Sequence, residues 1–219
     1  MASKATTRER YADFNVEVSD HNLGLNLPQR MGKRLWLPMF LMGIMAFPIA
    51  AILGIVRALE VSDGDVATAT ALGHVTTGVM FIGFTSVFSA IVFAIARILG
   101  AFREGGGGIQ ETSGRRVLTL VMPATAKAML GLMMMGMMML VFGVVAEFVL
   151  AAVAGGAVTD GDAGLVQTTQ SWGAWVEGVR RLGVATYLLS FALGLYTIVT
   201  VIRLQSRRIR ELADEPTRG

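Results

Sequence analysis

Four long apolar stretches constrain this chain more than anything else in it. They lie near residues 35–56, 78–97, 128–152 and 182–202. A helix needs about 20 predominantly apolar residues to cross a hydrocarbon core, and each stretch is long enough. In lipid every backbone amide needs an internal partner, so helices are the economical reading. Strands would need a closed barrel and dyad alternation, and neither pattern is visible. Only 16% of the residues are charged, against about 25% in a typical soluble domain. The expected fold class is therefore an all-α integral membrane protein with four transmembrane helices. The expected domains are an N-terminal cytoplasmic segment, 1–34, a four-helix transmembrane domain, 35–204, and a cytoplasmic C-terminal tail, 205–219.

The formal charge of +3 is small, and its basic residues gather at segment ends. That distribution argues against a nucleic-acid partner. The chain has no cysteine, which removes disulfides, thiolate metal sites and a cysteine nucleophile. The first apolar stretch follows mostly polar residues, exceeds the usual core of a secretion signal and lacks a small-residue cleavage site. It is expected to remain as an anchor.

The flanks predict an orientation. Lys33 and Arg34 precede the first stretch, whereas "EVSDGDVATAT" after it is acidic apart from nearby Arg57. Arg97, Arg103, Arg115, Arg116 and Lys127 lie between the second and third stretches, and Arg203, Arg207, Arg208 and Arg210 follow the fourth. The third linker is acidic until Arg180 and Arg181, which run against the trend. The alternation places both termini in the cytoplasm of a multi-pass protein of the cytoplasmic membrane. "REGGGGIQETSGRR", 103–116, reads as a flexible loop. "WGAWVEGVRR", 172–181, reads as a short interfacial helix whose tryptophans suit the headgroup zone.

Within the apolar stretches, Ala46, Ala50, Gly54 and Ala58 recur every four residues, as do Ser86, Ala90 and Ala94. Small residues on one helical face predict close helix packing. The run "MLGLMMMGMMML", 129–140, invites a copper reading. A copper(I) site needs soft ligands converging on one point, whereas consecutive methionines fan around a helix. Adaptable packing or an apolar partner surface is the expectation, with no metal site.

The candidate polar site gathers on one predicted side. Glu147 stands near the end of the third stretch, where a charged carboxylate faces protein, water or a partner. Its expected partners are Arg57, Arg180 and Arg181. His74, at the entry to the second stretch, is expected to hydrogen-bond a carboxylate, and haem or quinone binding is its alternative. No cofactor is required by the sequence.

No full catalytic constellation appears. The leading expectation is a noncatalytic integral membrane subunit that scaffolds or lines a larger complex, a redox complex being one setting. Its partners would be other membrane subunits and lipids. A homo-oligomeric channel or proton/cation transporter using Glu147 is one alternative; a haem- or quinone-binding oxidoreductase subunit using His74 is another.

Overall fold

The computed structural model of the chain describes residue 11 and residues 13–214. Parts of the expected terminal segments, 1–34 and 205–219, lie outside the described residues. The described chain is nearly all helical. Helices α1 (Leu27–Asp63), α2 (Val66–Thr112), α3 (Ala124–Thr159) and α4 (Ala163–Asp214) are joined by short connections. Each is long and apolar enough to cross a membrane. The helices extend beyond the apolar stretches, so much of the linker sequence is helical.

Local signals set the helix ends. Asn26 and Gln29 exchange side-chain-to-backbone bonds of 3.0 and 3.1 Å, a capping box that starts α1. The same tripeptide, Asp-Gly-Asp, closes both α1–α2 and α3–α4. Gly64 and Gly161 have φ of 82° and 68°, a left-handed conformation that glycine adopts without a Cβ clash. The Asp after each glycine caps the next helix: Thr68 N donates to Asp65 and Leu165 N to Asp162, both at 2.9 Å. The backbone hydrogen bond to Asp65 from Thr68, then that residue's hydroxyl, holds this exposed carboxyl below its usual pKa.

Two expectations are corrected. The glycine run 105–108 is not a flexible loop but lies inside α2, which continues to Thr112. A Cβ at Gly106 would overlap the carboxamide of Gln205, and one at Gly107 would lie 2.6 Å from Asn22 Oδ1. Tertiary packing against glycine offsets a helix propensity about 1 kcal/mol per residue poorer than alanine's. The stretch 172–181 is not a separate surface helix either, because it lies within uninterrupted α4.

The sequence reading also missed a small sheet. Strands β1 (Val16–Ser19) and β2 (Val117–Leu120) pair antiparallel, with Val16 opposite Leu120. Val16, Leu118, Tyr11 and Leu204 form a buried cluster. Gln110, itself buried, accepts from Leu118 N at 2.9 Å and donates to Gly106 O at 3.0 Å. It therefore ties the end of α2 to the sheet.

The chain forms two compact units. The first contains residues up to Trp36, Val92–Leu130 and residues from Ser190 onward; the second contains Leu37–Ile91 and Gly131–Leu189. In the first, Ser190 donates to Met129 O at 2.8 Å, and Gly194 lets α4 approach Met129 and Ile95. In the second, Ala46, Ala50, Ser86 and Ala90 are buried, whereas Gly54 faces open space. α1 also approaches α2 closely at Gly43, where a Cβ would lie 2.9 Å from Val87 N.

Candidate functional site

The second unit contains a charged cluster in mostly apolar surroundings. Glu147 of α3 is 3% exposed and Arg180 of α4 is 5% exposed. Arg180 Nη1 donates to Glu147 Oε1, and Arg180 Nη2 donates to Glu177 Oε2. The other Glu147 oxygen lies 2.7 Å from His74 Nδ1 of α2. Arg181 Nε donates to Glu177 Oε1 at 2.7 Å. Two carboxylates thus face two guanidiniums, and the four charges balance without the imidazole. Such compensation is what a buried ion pair requires.

Neighbours shape the arginine's position. The Arg180 guanidinium lies 4.5 Å from the Phe81 ring centroid, where the ring face attracts a cation. Its alkyl stem crosses Gly143, at which a Cβ would lie 2.6 Å from Arg180 Cγ. Glycine there makes room for the arginine. Phe81 also begins an aromatic series through Phe84 and Phe88 to Tyr187. Tyr187 is fully buried, and its hydroxyl is 2.8 Å from Ser89 Oγ.

The structure brings His74, Glu147 and Arg180 into direct contact. Among the described residues, Arg181 reaches the cluster through Glu177. Arg57 packs over the backbone of α2, its Cζ 3.2 Å from where a Cβ of Gly73 would stand, and makes no ion pair among the described residues. Sequence reasoning missed Glu177 and Phe81. The signal for Glu177 was present, since it precedes Arg180 and Arg181 by three and four residues, spacings that share one helical face.

His74 also borders a cavity of about 420 Å³ together with Thr70, Ala154, Thr169 and Gln170. With Nδ1–H donated to Glu147, Nε2 is the nitrogen left to accept a bond or bind a metal. The methionines do fan out: Met129 and Met133 are buried, whereas Met134, Met135 and Met138 are exposed. Comparisons of the chain with protein-family models, with curated proteins and with solved structures find no match.

Proposed function

We propose that the chain is a noncatalytic, multi-pass subunit of the cytoplasmic membrane that scaffolds or lines a larger membrane complex, with both termini cytoplasmic. The engagement of Glu147 carries this reading. One carboxylate oxygen is held by Arg180 and the other by His74. A transport carboxylate must exchange its partner for a proton or cation, whereas this one links α2, α3 and α4.

The surface of α1 supports a partner-facing role. Only 17% of its apolar window is buried, against 44% for α2. Leu41, Met45, Ile49, Ile52, Ile55 and Leu59 are all exposed at spacings of three or four residues. At 1.5 Å per residue that stripe is about 27 Å long, close to the hydrocarbon thickness of about 30 Å. Lipid or another subunit's helix would cover it.

Native purification in mild detergent followed by mass spectrometry tests the proposal. Stoichiometric, unrelated membrane subunits are the expected result. A complex containing only copies of this chain, with conductance abolished in Glu147→Gln, would replace scaffolding with transport. Single cysteines at 109 and 161 test orientation: labelling from outside is expected at 161 and not at 109.

A second reading rests on His74, whose position beside a cavity suits a haem iron or a quinone oxygen. An absorption spectrum and solvent extract of the same preparation decide it. A Soret band or stoichiometric quinone, lost in His74→Phe, would promote that reading.

A further inference from the structure

The first unit contains a second cavity, of about 70 Å³. Its apolar wall includes Leu99, Ala126, Leu130, Val201 and Leu204. Among its polar lining residues, Asn26 and Gln29 satisfy each other's backbone, and Thr197 bonds Leu193 O and Thr125. Arg103 is different. It lines the same cavity and is half-buried, and its Nε is shielded from solvent with no hydrogen-bond partner. It has no ion pair among the described residues, and no aspartate or glutamate lines the cavity. Among the described residues, then, a guanidinium lines a largely apolar cavity and no anion meets it.

An orphaned buried donor calls for a partner, and the shielded Nε is the side of this half-buried guanidinium that lacks one. Water would meet the guanidinium but leave the apolar side chains of the lining, such as Leu99, Leu130 and Val201, without contacts. A small inorganic anion would satisfy Arg103 but leave the apolar wall empty. A molecule with an anionic head and a hydrocarbon tail satisfies both. The guanidinium fork matches either carboxylate or phosphate oxygens in paired hydrogen bonds. The small volume admits a short run of one chain and excludes two side by side.

We infer that this cavity binds a single-chain anionic amphiphile, its carboxylate or phosphate head on Arg103 and its tail against the wall formed by Leu99, Ala126, Leu130, Val201 and Leu204. The inference is independent of the scaffold reading, since it concerns a different cavity and ligand class.

The test uses the full chain, stripped of lipid and held in an uncharged detergent. Binding is measured by calorimetry with oleate, oleoyl lysophosphatidate, oleyl alcohol and inorganic phosphate. One of the two charged amphiphiles should bind one-to-one, at least tenfold tighter than the alcohol or the free phosphate. The preferred one identifies the head as carboxylate or phosphate. Arg103→Gln should weaken binding at least tenfold, and Arg103→Lys, which keeps the charge without the fork, should recover only part of it. Circular dichroism checks that each variant is folded. Equal binding of oleyl alcohol would overturn the role of charge, and equal binding of inorganic phosphate would overturn the role of the tail. No binding by either charged amphiphile, or undiminished binding in folded Arg103→Gln, would reject the site.

Discussion

Arg180 in the second unit and Arg103 in the first pose the same physical problem and resolve it differently. Both hold a guanidinium beside apolar side chains. Arg180 is met by Glu147, Glu177 and the face of Phe81, all from the same chain. The Nε of each is buried without a hydrogen-bond partner, but Arg103 makes no ion pair among the described residues and borders a cavity. A buried charge compensated internally acts as a fastener between helices. One left uncompensated is a feature that a ligand can complete.

The sharpest way to break that contrast is to remove the compensation. Arg180→Met leaves Glu147 buried without its cation, and breaking such a pair costs about 3–5 kcal/mol. Reversible denaturation in mixed micelles should register that loss. Adding Glu147→Leu should recover much of it, because an apolar pair of similar volume carries no desolvation penalty. If Arg180→Met alone is neutral, the cluster is not a fastener.

Glycine substitutions sharpen the comparison further. Gly143→Ala forces a methyl into the Arg180 stem, and such overpacking costs about 1–3 kcal/mol. Gly54→Ala meets nothing within 4 Å and should instead stabilise by about 0.5–1 kcal/mol through helix propensity. Thermal melts of the two variants should move in opposite directions.

A smaller effect is expected at Tyr11, which is buried and donates to Glu211. Burial first, then that hydrogen bond and the carboxylate's charge, push its phenol up to about 12 from 10.0. The folded state therefore holds this proton more tightly than the unfolded state. Its stabilisation is fully present below pH 10 and is lost as pH rises toward 12. Tyr11→Phe should cost about 1 kcal/mol at neutral pH and flatten that alkaline fall. Ultraviolet titration of phenolate should lose its highest-pH component in the variant.

The smallest effect belongs to Arg103→Gln without ligand. Removing a cation that no described residue compensates should leave stability within about 0.5 kcal/mol of wild type, or raise it. A large loss of stability would mean that Arg103, like Arg180, fastens the fold.

Several of these features were legible from residue order, and others were not. "NLPQ" carries a capping box in its spacing, and each Asp-Gly-Asp carries both a helix stop and the next cap. The glycine run 105–108 misled because local propensity favours a loop, while Gln205 and Asn22, distant in sequence, use the absence of a Cβ. The strand Val117–Leu120 was hidden for a similar reason, since its partner lies a hundred residues away. Glu147 was conspicuous as a carboxylate in an apolar stretch, but Arg57, Arg180 and Arg181 were equal candidates to pair with it.

By itself the sequence determined four helices suited to lipid, because the requirement for about 20 apolar residues and internally satisfied amides acts along a single segment. It also determined the tight turns, which depend on a glycine and its immediate neighbours. Only tertiary structure decided that Arg180 pairs with Glu147, that Gly143 makes room for it, and that Arg103 lines a cavity. Pairings and cavities depend on side chains converging from different helices, and spacing along one helix does not specify what the next will bring.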